Sequence, residues 1–133
     1  MQFFIAMTPP QTTSQQKGVD FKRGRFYKKQ KVAAAEQEYL VRLYPHKPEK
    51  PFTKSAMAHY TFIYPWLKSH TKKVREQGYQ IKTKKPDCTN SVKLIEDCMT
   101  KLGFWTDDAI CWKVTVEKWH GDVPGVEILI EGE

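Results

Sequence analysis

Cysteine is scarce in this chain, and what there is cannot all pair. Of 133 residues only three are cysteines, Cys88, Cys98 and Cys111, and no two make a CxxC motif. The four histidines are scattered without zinc-site spacing. A disulfide scaffold and a structural zinc centre are therefore excluded as organising devices, and a reduced cytoplasmic compartment fits. Long apolar runs are also missing. Residues 2–7 are apolar but too short for a signal core, and no basic stretch precedes them. No other run approaches the ~20 residues that cross a bilayer. We expect neither secretion nor a membrane partner.

Acid is short in one part of the chain and abundant in the other. Residues 1–86 hold 18 Lys and Arg against 5 Asp and Glu, a balance of +13. Residues 87–133 hold 4 against 10, a balance of −6, so that the whole carries +7. Such asymmetry points to a polyanion, nucleic acid above all. The acidic part would repel phosphate unless a cation stood between them.

The length suits a single domain, residues 1–133, with one core. Residues 2–7 read as a strand stopped by Pro9-Pro10, and residues 11–24 as a polar loop. Arg23, Arg25, Lys28, Lys29 and Lys31 cluster around Phe26 and Tyr27. That mixture suits phosphate contact and base stacking, although a short strand through Phe26 and Tyr27 is an equal reading. Residues 31–44 look helical, with Leu40, Val41 and Tyr44 as the apolar side. Residues 55–64 alternate with apolar residues in both sets, the mark of an internal strand, and His59 on it reads as a core or surface histidine. Residues 65–85 show no period but carry Lys68, Lys72, Lys73, Arg75, Lys82, Lys84 and Lys85. We expect a basic loop there, leading into a short strand near 80–82. A helix follows, capped by Thr89 or Asn90 and closed by Lys101 and Gly103, with Val92, Ile95, Met99 and Leu102 facing the core. Lys93, Asp97 and Lys101 share another face of it. Residues 110–119 alternate, with Trp112, Val114 and Val116 on one side. Gly121 to Gly125 turns the chain into a last strand over 126–130. The expected fold is α/β or α+β, a mixed sheet with two helices, with basic loops at about 11–30 and 65–85.

The chemistry concentrates around that second helix. Asp87 stands before it, Asp107 and Asp108 after it, and Lys93 about one turn inside. Oxygen ligands beside a lysine suit a Mg²⁺ ion that must meet a phosphate, and the reading is a metal-dependent DNA nuclease. Paired acids near a helix are common, however, and dipole or turn roles compete. A 13-residue helix is about 20 Å long, which puts Asp87 and Asp108 at opposite ends. The steps from Gly103 to Asp108 recover at most about 17 Å. Either the chain doubles back along the helix, or a second subunit completes the site across a two-fold axis.

The run Lys85-Pro-Asp-Cys-Thr-Asn-Ser-Val-Lys93, then Asp97, Gly103 and Asp107-Asp108-Ala109 resembles the RusA family of Holliday junction resolvases. Lys118 in the next strand and the Pro124-Gly125 turn are similar to its C-terminal portion. The resemblance is close from about 85 to 130 and loose before that. It implies a small homodimeric, Mg²⁺-dependent endonuclease, with Mn²⁺ as a substitute metal, that binds four-way DNA junctions and cuts two strands symmetrically. It also implies the cytoplasm of a bacterial or phage-infected cell. By motif position Asp87 and Asp108 match metal-binding carboxylates and Lys93 an essential lysine. Asn90, Asp97 and Asp107 match its further positions.

One departure stands out. Thr89 occupies the place of the family's second aspartate, and a hydroxyl is a poorer Mg²⁺ ligand than a carboxylate. A bridging water, compensation by Asp107 or Asn90, or junction binding without efficient cutting would each accommodate it. Ser91 likewise replaces an apolar residue. In the implied mechanism Asp87 and Asp108 hold the metal, water attacks in line, and Lys93 neutralises the phosphate or leaving oxygen. Arg23, Arg25, Lys28, Lys29, Lys72, Lys73, Lys84 and Lys85 hold the junction arms through the backbone.

Overall fold

A computed structural model describes residues 1–11, 17–20, 25–28 and 30–133, with 17–20 and 25–28 as backbone alone. Five strands form one sheet: β1 (Gln2–Ala6), β4 (Ala56–Tyr64), β5 (Tyr79–Ile81), β6 (Cys111–Gly121) and β7 (Gly125–Gly132). Their order is β1-β7-β4-β6-β5. β4 runs parallel to β6 and antiparallel to β7, so the sheet is mixed. A separate hairpin pairs β2 (Lys17–Asp20) with β3 (Arg25–Lys28). The short-strand reading of Phe26 and Tyr27 therefore holds.

Register explains the core. On one face Ala58, Tyr60, Phe62 and Tyr64 of β4 lie beside Ile130, Ile128 and Val126 of β7 and Val114 and Val116 of β6. Helices α1 (Gln30–Leu43) and α3 (Cys88–Leu102) pack on that face, contributing Tyr39, Leu43, Leu94, Ile95, Cys98 and Met99 to one buried cluster. The opposite face carries His59, Thr61, Ile63, Glu117, Trp119, Glu127 and Leu129. Among the described residues no helix covers it. His59 is tied there, its Nε2 donating to Glu117 Oε2 at 2.6 Å.

Three details differ from the sequence reading. α1 buries Val32, Ala35, Tyr39 and Leu43, while Val41 and Tyr44 point outward. The two positions extend the apolar pattern but belong to the solvent side. Helix α2 (Lys72–Glu76) falls within the segment expected to be a loop, so the described residues form three α-helices where two were expected. It is too short for a period to show, and is set by Thr71, whose hydroxyl accepts the Val74 N–H, and by Gly78 in the left-handed region beyond it. Finally, Trp112 has no partner in the β4–β6 register, where Ala56 faces Cys111 and Met57 faces Lys113. This bulge frees Trp112 from the Val114 and Val116 side and leaves it 69% exposed.

The turn between β6 and β7 ends on Gly125, where β1 approaches closely. A Cβ there would sit 2.5 Å from the carbonyl oxygen of Ile5 and against the Phe4 ring. Gly125→Ala is expected to force β1 away from β7 and cost about 1–3 kcal/mol in urea unfolding. An unchanged midpoint would show that β1 is not held at this distance.

Candidate active site

The segment entering α3 is fastened to β6. After β5 the Lys82 N–H donates to the Lys118 carbonyl at 3.1 Å. The Lys118 ammonium then donates to the carbonyls of Lys84 at 2.8 Å and Pro86 at 2.7 Å. Asp87 follows as the helix N-cap, extended at φ −67°, its carbonyl accepting the Ser91 N–H at 2.9 Å. Thr89 and Asn90, expected as caps, lie inside the first turn instead. An N-cap aspartate ordinarily turns its carboxylate onto the helix N–H groups. Asp87 makes no such bond, and its side chain is exposed.

The segment leaving α3 turns back. Gly103 takes φ +88°, and Phe104 and Trp105 then bury completely. The Phe52 N–H donates to the Phe104 carbonyl at 2.9 Å, and the Thr106 N–H donates to the Phe52 carbonyl at 3.1 Å. The Trp105 indole N–H donates to Thr100 Oγ1 at 2.7 Å. Asp107 next caps a single 3₁₀ turn, Asp108–Ile110, its carboxylate accepting the Ala109 N–H at 2.9 Å. The chain thus doubles back within one subunit and sets Asp108 beside the middle of α3.

Electrostatics shows what meets there. The Asp108 carboxyl is raised above its usual value by partial burial first, then by its bond to Asp107 and repulsion from Asp107 and Asp97, while Lys93 pulls it down. Glu96 is pushed up to about 7, chiefly by burial and then by Asp108 and Asp97, against the Tyr60 hydrogen bond and Lys93. The Tyr60 hydroxyl donates to Glu96 Oε2 at 3.0 Å. Burial and the same two acids, Glu96 and Asp108, push the Cys111 thiol up to about 12. Four carboxylates, Glu96, Asp97, Asp107 and Asp108, therefore repel one another around one exposed lysine, Lys93.

Other expected residues lie further off. Asp87 and Thr89 stand at the α3 N-terminus, roughly 9 Å along the axis from Lys93 for six residues in Asp87's case. Among the described residues no three His, Cys, Asp or Glu side chains converge tightly enough to cage an ion. Lys72 and Lys73 are exposed on α2, and Lys84 and Lys85 are exposed on the connector. Arg23 and Lys29 lie outside the described residues. Arg25 and Lys28 belong to β3, opposite Asp20 and Lys17, with backbone alone described. A concavity of about 710 Å³ between β1 and α1, lined by Phe4, Ala34, Val41 and Pro45, holds none of these carboxylates. Sequence reasoning missed Glu96, although it lies three residues after Lys93 and hence on the same face.

By their chemistry the donors suit a hard divalent cation such as Mg²⁺. That ion takes hard oxygens, commonly one or two protein carboxylates, and fills its remaining positions with water and phosphate. An exposed carboxylate unused for capping and a cluster of mutually repelling acids supply such donors. Glu96 gives the cluster a pH signature. Its folded value is raised from 4.5 to about 7, so between those limits the folded state holds a proton that the unfolded state has lost. Stability must fall as pH climbs through that window. In EDTA, Glu96→Gln is expected to flatten this part of the melting-temperature profile, and a slope unchanged in the variant would assign the effect elsewhere.

The family model for endodeoxyribonuclease RusA matches residues 8–131. The crossover junction endodeoxyribonuclease rusA of Lactococcus phage r1t is 30% identical over 124 residues, covering 88% of this chain and 90% of that protein. With the family motif distributed along α3 and its two flanking segments, the chain belongs to the RusA endodeoxyribonuclease family.

Proposed function

We propose that this protein is a divalent-metal-dependent endonuclease that resolves four-way DNA junctions, working as a homodimer. The observation that supports it best is the return of Asp108 to the middle of α3, beside Lys93 and the Glu96 and Asp97 carboxylates. An exposed site outside a closed pocket suits a polymer that must lie across it.

In this reading Asp87 and Asp108 hold Mg²⁺, with Mn²⁺ as a substitute. Asp107, with one oxygen already accepting from Ala109, supports Asp108. The bound metal supplies Lewis-acid stabilisation of the phosphate and a more acidic attacking water. Lys93, close to Asp108, would neutralise the phosphate or the departing oxygen. Glu96, held by Tyr60, belongs to the same carboxylate cluster as Asp108. Lys72, Lys73, Lys84 and Lys85 contact backbone phosphates, and selectivity comes from junction shape. Paired cuts require two sites, and the uncovered sheet face around Thr61, Ile63 and Trp119 is the surface we assign to the second copy.

Cleavage of a labelled synthetic junction in Mg²⁺, Mn²⁺ or EDTA tests the reading. Wild type should make paired symmetric nicks that need metal. Asp108→Asn should lose about 100-fold or more in rate, the several kcal/mol expected of a metal-held phosphate, and still bind the junction. Thr89→Asp should lower the Mg²⁺ requirement. Binding without nicks under every metal would instead mark a junction-binding protein whose site Thr89 has disabled.

A further inference from the structure

Lys118 occupies a position where an apolar residue is expected. It lies on β6 opposite Phe62, on the helix-covered face, two residues from Val116 and two from His120. Lys118 is half-buried, and its neighbour Lys82 is buried, with the ammonium 4.7 Å from the centre of the Tyr64 ring. Burial, and then the charge of Lys118, lowers the Lys82 amine below the usual lysine range. A second cation beside a buried one is costly compared with a methionine of similar shape. What Lys118 does with its charge accounts for its presence.

The connector from β5 to α3 belongs to neither element, so its carbonyls lack ladder or helix partners. Lys118 satisfies two of them, Lys84 O at 2.8 Å and Pro86 O at 2.7 Å. Its own carbonyl accepts the Lys82 N–H, and the Cys88 thiol lies 3.9 Å from the Val116 carbonyl. The connector is thus tied to β6 along its length from Lys82 to Cys88. The Pro86 carbonyl belongs to the planar peptide unit that includes the Asp87 N–H and ends at the Asp87 Cα. A donor fixed on that oxygen fixes the plane from which Asp87 departs.

We propose that Lys118 is a positioning residue for Asp87, holding the connector so that this carboxylate is presented outward from the α3 N-terminus. The role rests on the reading of Asp87 as a metal ligand given above. The lysine touches neither metal nor DNA; it acts through the backbone. Outer-shell partners of metal ligands cost about 10–100-fold in affinity or activity when removed, and a backbone clasp belongs near the lower end.

The test compares Lys118→Met, which keeps the stem and removes the donors, with Lys118→Arg, which retains N–H groups for the two carbonyls. Four quantities are read: Mn²⁺ affinity by calorimetry without DNA, the Mg²⁺ concentration for half-maximal nicking, junction binding in EDTA, and amide exchange across residues 84–88. Lys118→Met should weaken Mn²⁺ about tenfold, raise the Mg²⁺ requirement equally, speed exchange in the connector and leave junction binding unchanged. Lys118→Arg should recover most of the loss. Wild-type Mn²⁺ affinity in Lys118→Met overturns the proposal, whether or not exchange quickens. If Lys118→Met does not fold, Lys118→Gln replaces it under the same criterion. Asp87→Asn separates the two levels. If it leaves Mn²⁺ affinity unchanged, the metal reading has failed and the positioning role falls with it. If it weakens Mn²⁺ while Lys118→Met does not, the positioning role alone is overturned.

Discussion

Between Gly103 and Asp107 the chain must reverse, and the burial of Phe104 and Trp105 holds it in that reversal. A 15-residue helix carries its two ends roughly 22 Å apart. Acids before and after such a helix serve one site only if the chain returns along it. Gly103 permits the left-handed turn, but a turn alone sets no direction. Direction comes from two aromatic side chains leaving water and from Phe52, which satisfies the carbonyl of Phe104 and the N–H of Thr106. The 3₁₀ turn, the Asp107 cap and the start of β6 all follow from where this reversal ends.

The same geometry makes sense of the charge asymmetry. The basic residues of α2 and the connector and the acidic residues after Asp87 are adjacent in the sequence at Lys85 and Asp87. In the fold they remain adjacent, because the connector is clasped to β6 rather than swung away. A phosphate backbone is attracted by one part and repelled by the other, so a cation held among the acids would let it lie across both. The bulge at Trp112 lies just beyond Asp108, on the strand that also bears Lys118.

Much of this was legible in the sequence, and the failures have physical causes. α3 announced itself through its apolar spacing and Gly103, and β4 through apolar residues on both faces, since it is central in the sheet. The α1 face was misjudged because Val41 and Tyr44 are apolar yet exposed, and nothing local distinguishes them from Tyr39 and Leu43. α2 escaped because a five-residue helix has no period. Asp87, Asp108 and Lys93 were named from the sequence as candidates, but the sequence left open whether Asp108 returns to α3 within one subunit, because Phe52 acts on Phe104 from 52 residues away. Nothing near Glu96 in the sequence signals what holds it, because that is Tyr60 from β4, 36 residues away. Parts of the basic loop at 11–30 lie outside the described residues.

The parallel pairing of β4 with β6 has a kinetic consequence. Ala58 meets Val114 only after α2, β5, α3 and the reversal have all been enclosed between them. Contacts of such sequence separation form late, because the entropy of closing a long loop comes before the reward. Asp108 immediately precedes β6, so its approach to α3 is tied to this late event. A half-folded chain would therefore carry the basic segments of the N-terminal part before it carried an assembled carboxylate cluster. During synthesis, affinity for DNA would arise ahead of the capacity to break it.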